Sequence, residues 1–237
     1  MTGFGYNTLG FGTGVMPIVI NITANTSNYN ILTQATAAGY NAAADTMPVI
    51  VNVASGVTVS ASGTHAMRTG ALNAASALTV NISGSIDGYT GATTSTIGAA
   101  GSVGGDALYW ETNGTSVVNV LSGANLRSGG GGGGGGGNRG SGLPTFNDKT
   151  NQCSGTTVYG SHGSSGAAGG FGAAGANGSA GGHPAAAVTY CGGGGNYTYG
   201  GTAPGTVGAG GAAGFALRKN SKTVTLNDSG TVAGSAA

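Results

Sequence analysis

The sequence predicts an all-β and irregular fold: stacked short β-hairpins plus a glycine-rich polyglycine-II (PPII) helix bundle, with little α-helix. Three observations carry this reading. The 237 residues include 53 glycines and only 5% charged side chains, a Val-Asn-Val motif followed by Ser-Gly recurs, and glycine holds a three-residue phase over long stretches. Glycine disfavours an α-helix by roughly 1 kcal/mol per residue relative to alanine. Disorder is equally unsuited, because it goes with high net charge and low hydrophobicity, whereas here the net charge is +1 and 39% of residues are apolar. Extended structure is what remains.

In chain order, residues 1–14 are rich in glycine and aromatics (Phe4, Tyr6, Phe11). They lack the basic and apolar regions of a secretory leader. An apolar run at 15–22 follows, and residues 30–40 fit one or two helical turns. Residues 1–45 are expected to form an N-terminal attachment or assembly segment.

A β-hairpin repeat domain is expected over 46–127. Val51-Asn52-Val53-Ala54-Ser55-Gly56 is echoed by Val80-Asn81-Ile82-Ser83-Gly84 and by Val118-Asn119-Val120-Leu121-Ser122-Gly123. A last copy, Leu226-Asn227-Asp228-Ser229-Gly230, places a final hairpin at 223–237 that returns to the β-part. Each copy ends in Ser-Gly before a second short apolar run, and glycine supplies the positive φ that a tight hairpin demands. Tyr109 and Trp110 lie between these units and read as core or subunit-contact residues.

The span 128–222 is expected to be the polyglycine-II bundle. Residues 129–137 are all glycine, and glycine falls at 160, 163, 166, 169, 172, 175, 178 and 181, then at 205, 208, 211 and 214, and briefly at 98, 101 and 104. A helix with three residues per turn places such glycines on one edge, where neighbouring backbones approach and pair laterally. Collagen shares the period but needs abundant proline, and this chain has five. Unbroken, 160–181 would span about 65 Å; a break near Gly169-Gly170 with Phe171 at a turn gives two shorter helices instead. A flexible linker is the plain alternative.

Several functions are excluded on residue type. A near-neutral balance without clustered Lys and Arg argues against nucleic acid. No apolar run approaches the length of a membrane span, so membrane insertion is not expected. Gly-x-Gly-x-x-Gly is uninformative in polyglycine, and no Gly-Lys-Ser/Thr or Gly-x-Ser-x-Gly is present. No two of the six acidic residues are closer than five positions, and His65, His162 and His183 lack metal spacing and read as surface or loop residues. No catalytic residue, metal or cofactor is implied, and enzyme activity is not expected.

Binding needs varied side chains on a rigid platform, and interface anchors favour Tyr, Trp and Arg. Two clusters interrupt the period-three runs: Phe146, Asn147, Asp148, Lys149 and Tyr159, then His183, Tyr190, Asn196, Tyr197 and Tyr199. Both would be end loops of the bundle; the plain reading is that their aromatics cap it. Cys153 and Cys191 flank the same uncharged stretch. They are either packed thiols or a structural disulfide, which would stabilise by about 4 kcal/mol on the chain-entropy model.

The order of these features resembles the C-terminal glycine-rich region of phage and prophage tail-fibre and tail-tip proteins. The residues carrying the resemblance are the segment at 49–57, Ala66-Met67-Arg68-Thr69-Gly70, the Gly-Gly-Asp-Ala-Leu at 104–108, the polyglycine run and the close at 214–227. The glycine-rich part is similar in kind to the distal adhesins of T-even-like phages. The resemblance implies a virion receptor-binding adhesin at a phage tail tip, acting outside the cell. Its partners would be a bacterial outer-surface protein or glycan and other tail proteins, and a homotrimer and a single copy both stay open. The alternatives are a self-assembling fibre or decoration protein and an ice-binding protein.

Cys153 and Cys191 are expected to be linked in air-exposed protein. Mass spectrometry after alkylation without reductant tests this, and finding both thiols alkylated excludes the bond.

Overall fold

The computed structural model describes residues 16–144, 157–182 and 204–237. Among them the regular secondary structure is almost all β, with one short helix. It winds as a three-sided stem in five rungs. The first rung is β1 (Ile18–Ile22), β2 (Thr26–Ser27) and β3 (Tyr29–Asn30), followed by the short helix α1 (Ile31–Ala37). The second is β4 (Val49–Val53), β5 (Thr58–Ser60) and β6 (His65–Arg68), and the third β7 (Leu78–Ile82), β8 (Ser85–Asp87) and β9 (Asp106–Tyr109). The fourth opens with β10 (Ser116–Val120) and β11 (Asn125–Arg127). A small pair, β12 (Ser141–Pro144) and β13 (Thr157–Tyr159), intervenes before β14 (Phe215–Arg218) completes the rung. The last rung is β15 (Thr225–Asp228), β16 (Thr231–Ala233) and β17 (Ser235–Ala236). Each side of the stem is a five-stranded sheet taking one strand from every rung.

The expected hairpins do not form. The two strands of each motif lie on different sides of the stem, and each pairs in parallel with the equivalent strand one rung away, as in Val51↔Val80↔Val118 and Val59↔Ile86↔Leu126. Ser-Gly is the corner between sides. In the second rung Val57 N–H donates to Ala54 C=O at 3.1 Å across Ser55-Gly56, with Gly56 at φ 77°. Turn chemistry is the same for a corner and a hairpin; what differs is the partner strand, which local sequence does not specify.

Alternation within the strands fills the stem. Ile20, Val51, Val80 and Val118 stack from the first sheet, Val59, Ile86 and Leu126 from the second, and Met67, Leu108 and Leu217 from the third, all buried. Trp110 is also buried, its Nε1–H donating to Ser116 Oγ at 3.1 Å, so it is core, while half-buried Tyr109 stacks on His65 at 4.1 Å. Residues 18–30, read from the sequence as part of a separate segment, supply the first rung because Ile20-Asn21-Ile22 is a fifth copy of the motif without its Ser-Gly. The helix expected near 30–40 is present, with the Asn30 side chain accepting from Thr33 N–H at 3.3 Å as its N-cap.

The motif asparagine has a structural reason. Asn52, Asn81, Asn119 and Asn227 each donate from Nδ2 to Oδ1 of the asparagine one rung back, starting at Asn21, at 2.7–2.9 Å. The ladder runs the height of the first sheet and penalises any slip of register between rungs. Charged residues are also matched between rungs: Arg127 with Asp87, Arg68 with Glu111, and Arg218 with Asp106. Exposed pairs of this kind contribute little individually, but Asp106 is nearly buried. Its carboxylate accepts from Arg218 Nε at 2.6 Å, Arg218 Nη2 at 3.0 Å and Phe215 N–H at 2.9 Å.

His65, read as a surface or loop residue, is a partly exposed residue of β6, with Nδ1 3.2 Å from Asp106 Oδ2. Burial pushes its imidazole below the ordinary value, and Arg68 and Arg218 push the same way, against the upward pull of Asp106. The contact is therefore a hydrogen bond from a neutral ring, Asp106 being already neutralised by Arg218. The unfolded chain then takes up a proton at His65 more readily than the folded one, so this residue costs stability as pH falls below about 6.5 and has no effect above it. Thermal melting should decline more steeply from pH 6.5 towards 5 in the native protein than in His65→Gln. Parallel profiles would show that the imidazole is not held neutral.

Candidate functional site

Two excursions leave the stem at the same corner, between the second and third sheets: residues 88–105 in the third rung and 128–214 in the fourth. They form one bundle around the run 129–137. Gly131, Gly134 and Gly137 donate N–H to the carbonyls of Ala173, Ala176 and Ser179, each three residues apart. Gly129, Gly132 and Gly135 donate to Gly105, Ser102 and Ala99, and accept from Gly214, Gly211 and Gly208. The carbonyls of Gly131, Gly134 and Gly137 accept from Gly169, Gly166 and Gly163, and those of Gly130 and Gly133 accept from Gly91 and Thr94. These bonds are 2.7–3.1 Å long. A three-residue step on every contact is the lateral pairing of helices with three residues per turn.

Five segments thus surround a sixth, and this accounts for the two glycine patterns. A peripheral segment turns one edge inward and needs glycine only at every third position. The central run faces backbone in every direction. A Cβ on Gly130, Gly131 or Gly133 would sit 1.8–2.0 Å from a carbonyl oxygen of Gly169, Gly211 or Gly166. The stretch 160–182 is broken at Phe171, where Ala173 N–H donates to Gly170 C=O and Gly172 takes φ 73°. Phe171 lies under the Arg127 guanidinium, 4.2 Å from its ring centroid, and Gly172 N–H donates to Ser128 C=O, pinning this turn to the stem.

The opposite end is the candidate site. There Gly205 N–H donates to Asn138 C=O, Gly160 N–H to Gly140 C=O, and Gly140 N–H to Gly182 C=O. Ser141 and Pro144 pair antiparallel with Tyr159 and Thr157. The intervals 145–156 and 183–203 therefore depart from, and return to, one end of the bundle. A third turn reaches the same end, with Gly98 N–H on Gly136 C=O and Ile97 47% exposed. Ile97 was missed in the sequence reading; the brief glycine phase at 98, 101 and 104 was its only signal. Tyr159 is in β13. Phe146, Asn147, Asp148, Lys149, Cys153, His183, Tyr190, Cys191, Asn196, Tyr197 and Tyr199 lie outside the described residues.

A laddered stem raises a glycine-centred bundle, and the bonds at Asn138, Gly140, Gly160, Gly182 and Gly205 gather at its end away from the stem. The family model of the phage tail fibre adhesin Gp38 matches residues 17–237, and the chain belongs to that family. It is a receptor-binding adhesin of the phage tail fibre, carried on the virion and acting outside the cell in host attachment. The crystal structure of the gp37–gp38 adhesin tip complex of the bacteriophage S16 long tail fibre aligns at 17% identity with a TM-score of 0.49, over 93% of this chain and 82% of that one. No curated protein sequence matches.

The glycine centre makes a sharp prediction. Gly133→Ala forces backbone apart and should destabilise by at least about 1–3 kcal/mol. Gly170→Ala, with nothing within 4 Å of its Cβ, should melt at or above the native temperature. Equal melting of the two variants would refute the packed centre.

Proposed function

We propose that the chain attaches the virion through side chains of 145–156 and 183–203, with Tyr159, docking non-covalently on an outer-membrane protein or glycan of the host. The bundle, formed by 88–105 with the described parts of 128–214, acts as the platform, and the stem joins it to other tail proteins. No covalent step is involved: the loops supply shape and hydrogen bonding, and the bundle supplies rigidity, which lowers the ordering cost of binding. The observation that carries this reading is the departure of both intervals from one end of the bundle. Tyr197, Tyr199, Phe146 and Tyr159 are the expected anchors.

Adsorption of phage carrying adhesin variants, measured beside the melting of the same purified proteins, tests the proposal. Tyr197→Ala and Tyr199→Ala should melt within about 0.5 kcal/mol of the native protein and lose adsorption, and Phe146→Ala and Tyr159→Ala should follow. Joint loss of stability and adsorption would make the tyrosines caps, and retained adsorption would move binding elsewhere.

A further inference from the structure

A second recess lies far from that end, at the shoulder where residues 88–105 leave and rejoin the stem. It is a cleft of about 600 Å³ between the third sheet and the base of the bundle, within the range of small-ligand sites. His65, Tyr89, Val103, Tyr109, Arg218 and Asn220 are among the residues that line it.

Its chemistry is specific in three ways. First, the lining is aromatic: the His65 and Tyr109 rings are stacked with 28° between planes, and Tyr89 and Val103 are exposed, Val103 at 60%. Second, the charge is balanced. Asp106 is consumed by Arg218, His65 and Phe215 N–H, and Arg68 by Glu111, which leaves no net charge for an ionic ligand. Third, weak polar groups have no hydrogen-bond partner among the described residues: the hydroxyls of Tyr89 and Tyr109, the His65 Nε2 and the Asn220 Oδ1.

One lining residue is also held in an unusual conformation. Asn220 and Ser221 are consecutive non-glycine residues at φ 50° and 61°. Asn220 is fixed there by its Nδ2–H donating to Trp110 C=O at 2.7 Å. These two residues are the centre of a tight turn closed by Lys222 N–H donating to Lys219 C=O at 2.9 Å, which fixes where Asn220 stands.

We propose that this cleft binds a short neutral saccharide. Apolar C–H faces of a sugar ring stack on aromatic walls, and its hydroxyls need many weak donors and acceptors without a net charge. A peptide fits less well. The strands here, β6, β9 and β14, are each paired on both sides, so there is no sheet edge for an added strand. The site is separate from the distal loops and does not rest on their role.

Saturation-transfer NMR on the full chain, with D-glucose, D-galactose, N-acetyl-D-glucosamine and, as the anionic probe, N-acetylneuraminic acid, tests it. At least one neutral sugar should receive signal. Tyr89→Ala, at an exposed position, should weaken that sugar by about fivefold to tenfold with unchanged melting. Tyr109→Phe keeps the stack on His65 and removes only a hydroxyl, so it provides the same test should Tyr89→Ala misfold. No transfer to any neutral sugar, transfer undiminished in the variants, or transfer to the anionic sugar alone would overturn the proposal. So would silence towards every sugar combined with loss of the variants from assembled virions, which would mark a protein contact.

Discussion

Backbone amides in this molecule are satisfied by chain segments distant in sequence, and the rest of the structure follows from that constraint. A buried N–H or C=O must find a partner, and a chain with one short helix among its described residues finds few of them close in sequence. In the stem the partner is a strand one rung away, and the pleat leaves room for side chains to point in and out. In the bundle the partner is a neighbouring three-fold helix, and side chains are admitted only on outward edges. Glycine is the entry condition for the second solution, and it imposes a conformational entropy cost that the density of lateral bonding must offset.

The two solutions are joined at one corner. Rungs one, two and five turn directly from the second sheet to the third, while rungs three and four leave the stem there and return. The returning strands β9 and β14 re-enter in register, and Asp106 and Arg218 stand at that point of re-entry. Their bidentate pair, completed by His65 and Phe215 N–H, clamps three rungs across both excursions. Phe171 under Arg127 repeats the device from the bundle side. The bundle is thereby fixed to the stem rather than hung from it.

For an adhesin this separates what must vary from what must not. A Cβ anywhere on the run 129–137 would meet backbone oxygen at 1.7–2.7 Å. The chain that flanks the intervals 145–156 and 183–203 is held at the far end by bonds at Asn138, Gly140, Gly160 and Gly205.

Much of this was determined by the sequence alone. Glycine and β-branched content excluded a helical fold, the three-residue phase marked the peripheral helices, Phe171 marked their turn, and Asn30 marked the one helix. These signals are legible because periodicity, capping and turn chemistry depend on residues close in the chain. The tertiary structure alone decided who pairs with whom. Ser55-Gly56 served a corner rather than a hairpin, Ile20-Asn21-Ile22 belonged to the first rung, and the nine-glycine run took the centre. His65 met Asp106 and Arg218 only because the rungs stack in register. Each of these is a choice of partner across tens of residues, made by the fit of backbone to backbone, and no local pattern of side chains encodes it.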